Sequence, residues 1–352
     1  MEGWIPTKRL KKITEFADKF CGTVEPIHRN IYLYFDNVLR VAMTDGCANA
    51  DIFFSKEFFP FKNTYEIPIQ HLKGLLKGLK SNSSPFVRML ALDEGLKIEL
   101  DEMILNIHSN KNSTIPKINE DKITFLFEMR LKEFLELLDF ASVHSYEGEF
   151  IHFFSTKNNE IYALSENFNI SAISFFIKNN IHFNRLIPFT TVRHIIKSLS
   201  LISSNEVIKI FLGKDHIILK GQGFIISTCS EVKEEVIDFK LPDNFIENKK
   251  IKISSLKKSL NRIYTSIPQG LPVYMVFSKK SHIVSKDKNS TLTWNLDLNF
   301  NHNYLVEIKP RKLRSLLARF SNDEINIGLS KKFIALFDNN KYILLKVSEY
   351  SD

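Results

Sequence analysis

Much that usually identifies an enzyme or a membrane protein is missing from this sequence. No apolar run approaches the roughly 20 residues of a bilayer span, and the basic start (Lys8, Arg9, Lys11, Lys12) leads into no apolar signal core. Cysteine is scarce: Cys21, Cys47 and Cys229 are an odd, scattered set without Cys-x-x-Cys, which favours a reducing compartment such as the cytoplasm. The ten histidines are dispersed, and His144 and His152 lack metal-ligand spacing, so no metal and no cofactor is expected. There is no glycine-rich phosphate loop and no Gly-x-Ser-x-Gly. Helix-turn-helix, zinc-finger and RNA-recognition signatures are absent too. With no catalytic constellation to assemble, the chain reads as a binding protein rather than an enzyme. At 352 residues, 44% apolar and 25% charged, it is an ordinary globular chain with room for two or three cores.

What is present is a repeat. Ile67–Leu79, Ile187–Leu199 and Ile308–Phe320 each begin with β-prone residues, meet a proline and run into a helix. The prolines Pro68, Pro188 and Pro310 suit a first helical turn, where a missing N–H costs nothing. Behind them apolar residues fall at i, i+3, i+4 and i+7: Leu72, Leu75, Leu76, Leu79; Val192, Ile195, Ile196, Leu199; and Leu313, Leu316, Leu317, Phe320. Each set is one buried stripe of an amphipathic helix. The prolines lie 120 and 122 residues apart, too far for a solenoid unit, so each copy predicts a domain.

Every copy also predicts an opening helix, with stripes at Leu10, Ile13, Ala17, Phe20; at Leu131, Leu135, Leu138; and at Leu256, Leu260, Ile263. Short strands follow each helix, with turn chemistry at Asp36-Asn37 and Thr44-Asp45-Gly46. The polar stretch Ser109–Asp121 reads as a linker, and Leu241–Asn244 with the polar Glu247–Lys250 makes the second boundary. The organisation expected is α+β with three domains, 1–121, 122–246 and 247–352. Each has two helices packed on two small antiparallel sheets. Gly74 and Gly78 each weaken their helix by about 1 kcal/mol; they either admit a close backbone approach or are simply tolerated.

Charge is divided unevenly. The helices taken as 6–20, 69–80, 128–141, 189–201, 254–266 and 310–321 hold 19 basic and 6 acidic side chains, whereas the rest of the chain holds 29 and 34. Four of the six contain no acid, although glutamate favours helices as much as lysine does. Such a surface fits a polyanion, and without a base-reading element it implies a sequence-blind grip on phosphates.

In its threefold pattern, the Met43-Thr44-Asp45-Gly46 turn and a closing strand before Ser348–Asp352, the chain resembles the bacterial DNA sliding clamp, the β subunit of DNA polymerase III. It departs from that family in its net charge of +8, in Glu128, Glu133, Glu136 and Asp139, and in Ser165-Glu166-Asn167 where the second Thr-Asp-Gly turn belongs. A divergent bacterial or phage-encoded member fits. The resemblance implies a head-to-tail homodimer closing into a ring around double-stranded DNA, with a clamp loader and a replicative DNA polymerase as partners. Phosphate contacts are then expected at Lys8, Lys12, Lys73, Lys77, Arg193, Lys197, Lys258, Arg311 and Arg314. A partner-peptide pocket is expected at Ile151, Ser165, Ile170, Pro242, Ile343 and Leu345. The other reading is a monomeric nucleic-acid-binding or modifying protein with an open basic helical face.

Overall fold

Each helix of this chain starts where a strand stops. In the computed structural model, α1 (Thr7–Phe20) follows strand Glu2–Pro6, α2 (Ile69–Leu76) follows Tyr65–Pro68, and α3 (Leu131–Ser142) follows Thr124–Arg130. Then α4 (Phe189–Leu199) follows Asn184–Pro188, α5 (Ile253–Ser266) follows Glu247–Lys252, and α6 (Pro310–Leu317) follows Asn303–Ile308 after one residue. The structure describes residues 1–22, 29–54, 59–77, 79, 84–108, 114–177, 182–233, 240–268 and 270–351.

A helix that springs straight from a strand has no room for a serine or aspartate cap, yet its first N–H groups still need acceptors. Backbone carbonyls supply them. The first amide of α1 donates to Pro85 O at 2.9 Å, that of α2 to Arg29 O at 2.9 Å, and that of α3 to Glu206 O at 2.7 Å. The first amides of α4 and α5 donate to Glu149 O and Asp323 O, each at 2.9 Å. In α6 the position is filled by Pro310, which has no N–H. This recurrent bond is the structural form of the sequence repeat.

Helix limits shift accordingly. α3 begins at Leu131 rather than 128, because Thr124–Arg130 is held as a strand against Val207–Leu212. α2 ends at Leu76, with Lys77 already extended, and Gly78 and Lys80 lie outside the described residues. α6 ends at Leu317 rather than 321.

The chain forms two compact units, Met1–Leu135 with Thr190–Val232, and Glu136–Phe189 with Lys233–Asp352. In the first unit a four-stranded sheet runs Glu2–Pro6, Phe86–Leu92, Gly95–Leu100, Met103–His108. Its eight-stranded companion contains Val38–Thr44, Ala48–Phe54 and Phe224–Cys229 side by side. In the second unit Ile170–Ile177 pairs antiparallel with Lys341–Lys346, joining residues far apart in sequence into one long sheet. A five-stranded sheet runs Thr291–Asn295, His282–Lys286, Val273–Phe277, Asn303–Ile308, Glu349–Ser351. Strands of neighbouring repeats thus merge, so the sheets are longer than the two small ones expected per repeat. The reason is that an open edge strand leaves a row of unpaired backbone groups.

The predicted stripes supply most of the cores, with Leu79, Leu135 and Ile196 only part-buried and Phe134 and Leu137 buried on α3 beside Leu131 and Leu138. Leu10, Ile13, Ala17 and Phe20 are buried in the first unit, as are Leu72, Leu75 and Leu76. In the second unit one cluster joins Leu256, Leu260 and Ile263 of α5, Leu313, Leu316 and Leu317 of α6, and Ile325, Ile327, Ile343 and Leu345 of the sheet. Phe140 meets Phe320 edge-on, with ring centroids 5.4 Å apart.

His144 is buried in the second unit, its Nε2 3.2 Å from Ile170 O. Burial pushes this imidazole down to about 4, mainly because its charged form would lose its hydration. The unfolded chain therefore takes up the proton first, and stability falls as pH drops from the ordinary histidine value toward 4. Between pH 7 and pH 5 the loss at this site is about 2 kcal/mol. His152 is lowered chiefly by burial as well and acts in the same direction. Urea midpoints measured at the two pH values should separate for the wild type and draw together in His144→Phe.

Candidate nucleic-acid interface

In the first unit α1 presents Lys8, Lys11, Lys12 and Lys19 on its exposed side, behind a buried stripe that fixes its orientation. α1 packs against α2, and Asp18 bridges them, accepting from Lys73 Nζ at 3.1 Å on both carboxylate oxygens and from the Arg29 guanidinium. Lys73 is therefore already partly neutralised. Lys77 is exposed just past the end of α2.

On α4, Arg193 is half-buried and Lys197 exposed. The Lys197 ammonium is held below its usual range first by desolvation, then by the like charges of Arg193 and Lys19. Three cations from α1 and α4 thus share one place, which an anion would relieve. Lys19 was not singled out from sequence. Its spacing from Lys8 and Lys12, eleven and seven residues, puts all three on one helix face and could have revealed it.

In the second unit Lys258 on α5 and Arg311 on α6 are exposed, and Arg314 is half-buried with its guanidinium on Asn261 Oδ1. Arg262 lies over the Trp294 ring, 4.7 Å from its centroid. Among the α3 acids, Asp139 accepts from Arg319 Nε at 2.8 Å, while Glu133 and Glu136 are exposed. The structure therefore brings Arg193 and Lys197 together, pairs Lys73 and Arg314 with protein groups, and leaves Lys8, Lys12, Lys77, Lys258 and Arg311 on the surface.

The Thr44-Asp45-Gly46 turn is structural. Asp45 Oδ1 accepts the amides of Cys47 at 2.9 Å and Ala48 at 2.5 Å, while Oδ2 faces His194 Nδ1 at 2.8 Å. The Asp45 side chain is 2% exposed, out of reach of a substrate. Gly46 takes φ +95°, which a side chain would strain. Gly22, at φ +63°, lies where a Cβ would sit 2.3 Å from His194 Nε2. The turn and this close approach together seat α4 and its basic side chains. Asp45→Ala would leave buried donors unpaired and should lower the stability of the first unit by about 1–3 kcal/mol, read as a shift in its unfolding midpoint.

The expected peptide pocket is differently disposed. Ile151, Ser165, Ile170, Ile343 and Leu345 are buried, and Ser165 Oγ donates to Ala141 O. Only Pro242 is part-exposed, in a surface groove of about 420 Å³ lined also by Lys240, Lys331, Lys332, Phe333 and Leu344. Strand alternation explains this: Ile343 and Leu345 point into the core and Leu344 points out.

Among the described residues no group of three or more His, Cys, Asp and Glu side chains could hold a metal ion. None of their helices is long and apolar enough to cross a membrane.

No family model and no curated protein matches the chain. Solved structures do. The DNA polymerase III β subunit of Borrelia burgdorferi superposes with a TM-score of 0.82 at 15% identity, over 99% of both chains. That of Pseudomonas aeruginosa gives 0.82 at 13%, again over 99% of both. That of Thermotoga maritima gives 0.82 at 13%, over 99% of this chain and all of the other. At such identities what is shared is the fold, and it is shared along the whole length.

Proposed function

We propose that this chain is a DNA sliding clamp, a processivity factor that encircles duplex DNA without reading its sequence and tethers the replicative polymerase. The observation that carries the reading is the end-to-end likeness to polymerase III β subunits, in a chain whose α2, α4, α5 and α6 bear basic but no acidic side chains. It acts by binding, without turnover, in the cytoplasm on nucleoid DNA. The three repeats, 1–121, 122–246 and 247–352, are its three modules.

Two chains close head to tail. Two open sheet edges support this: Met103–His108 with Met103 and Ile104 exposed in the first unit, and Thr291–Asn295 with Leu292 exposed in the second. Light scattering should give a dimer at micromolar concentration; monomer throughout would return the reading to an open basic face.

The phosphate contacts are Lys8, Lys12, Lys77, Lys258 and Arg311 with the Lys19–Arg193–Lys197 group, while Lys73 and Arg314 contribute less because of their protein partners. Affinity should fall with log salt at a slope near −0.9 per contact. Lys19→Ala with Lys197→Ala should flatten that slope by about two contacts, equally for every DNA sequence. Retention on circular DNA should vanish on linearisation, which electrostatics without a ring does not produce.

Partner peptides, of polymerase and clamp loader alike, dock beside Pro242. Ile343 and Leu345 anchor the strand that carries Leu344 in the core, and Phe333 and Leu344 meet the peptide. Phe333→Asp with Leu344→Asp should abolish polymerase stimulation and leave dimerisation and DNA retention intact. Full stimulation by this variant would move the docking site elsewhere.

A further inference from the structure

The three cysteines, scattered in sequence, converge on one corner of the first unit. Cys47 directly follows the Thr44-Asp45-Gly46 turn, Cys229 ends strand Phe224–Cys229, and Cys21 follows α1 with its thiol hydrogen-bonded to the Thr44 backbone. Cys47 and Cys229 are joined as a disulfide, their Cα atoms 5.4 Å apart across 182 residues of sequence. That separation is ordinary for bridged cysteines. It departs from the sequence reading, in which three unpatterned cysteines pointed to reduced thiols alone.

The position of the bridge gives it a mechanical role. Ala48–Phe54 and Phe224–Cys229 pair antiparallel from Phe224↔Ile52 to Thr228↔Ala48. One rung further the Cys229 amide donates to Cys47 O at 3.1 Å. The bridge closes that end of the ladder, beside the turn whose Asp45 is bonded to His194 of α4. A ladder frays from its ends, and a covalent link there removes the frayed states. Both bridged cysteines are part-exposed and open to a small reagent, whereas Cys21 is 2% exposed.

We propose that Cys47 and Cys229 are a redox-controlled staple that locks the ladder between Ala48–Phe54 and Phe224–Cys229, made and broken by exchange with small disulfides of the glutathione class. A thiolate of the pair attacks the small disulfide and expels one small thiol, leaving a mixed disulfide. The second thiolate attacks the chain-side sulfur and expels the other. The chain's two thiols are oxidised by two electrons and lose two protons, and the small disulfide is reduced to two thiols. In a reducing cell interior the staple rests open and closes under oxidation. Cys21 stays outside the exchange, buried, with its thiol pushed up to about 12 chiefly by desolvation.

The test uses the full chain, purified without reductant and equilibrated in buffers of reduced or oxidised glutathione. Free thiols are then alkylated and mapped by mass spectrometry, and hydrogen exchange is followed in the two strands. In oxidised buffer only Cys21 should be alkylated, and only after denaturation; in reduced buffer Cys47 and Cys229 should react in the native state. Exchange at the ladder amides should slow by about tenfold or more on oxidation. Cys47→Ser should abolish that difference and Cys21→Ser should keep it. Should the serine variants not fold, the two redox forms of the wild type still make the comparison. Separate alkylation of Cys47 and Cys229 in oxidised buffer, a bridge to Cys21, or equal exchange in both forms would overturn the proposal.

Discussion

The bond on which this architecture depends runs from the first amide of a helix to a backbone carbonyl of a neighbouring strand or loop. It recurs at Thr7, Ile69, Leu131, Phe189 and Ile253. Because the backbone does the capping, no acidic side chain is needed at the helix start, and no first turn carries one except at Glu133 of α3. Aspartate and glutamate are the residues the helix dipole would otherwise draw to that end. Outside α3, their absence leaves the positive end of the dipole uncompensated beside exposed lysines and arginines. A capping solution imposed by the strand-to-helix junction thus favours the electrostatics that a polyanion partner requires.

Merging of the sheets has a second consequence. Strands from distant parts of the chain share ladders, Ala48–Phe54 with Phe224–Cys229 and Ile170–Ile177 with Lys341–Lys346. In the first case the connection is reinforced by three different interactions at one corner: the strand pairing, the Asp45–His194 hydrogen bond and the Cys47–Cys229 bridge. Asp45 has the central place, since one carboxylate closes its own turn and seats α4.

The helices were legible in sequence because a stripe at 3.6-residue spacing survives any change of residue identity, and the repeated stripes are buried except at Leu79 and Ile196, which are part-exposed. Order and spacing carried the fold where identity to known structures is only 11–15%. Strand partners were not legible. Nothing local in Ile170–Ile177 says that it pairs with Lys341–Lys346, since alternation specifies a face and not a neighbour. The same limit governs the pocket: counting along the chain reached the strand containing Ile343 and Leu345, but the face that meets solvent belongs to Leu344. The cysteines failed for a related reason. Their separation of 182 residues hides a Cα distance of 5.4 Å that only the ladder creates.

The acidic α3 is the apparent exception to a basic helical surface, and geometry narrows it. Asp139 is held by Arg319 at 2.8 Å, so that pair presents little net field. Glu133 and Glu136 are exposed, and solvent charges are screened within about 8–10 Å at physiological salt. Their repulsion therefore acts only on phosphates close to α3. A phosphate near Lys19, Arg193 and Lys197 meets instead three cations whose crowding already depresses the Lys197 ammonium. An anion there gains its own Coulomb attraction and relieves the repulsion among its partners, so attraction concentrates on α1 and α4. Because phosphate contacts carry no base information, attraction of this kind is blind to sequence and fixes no register.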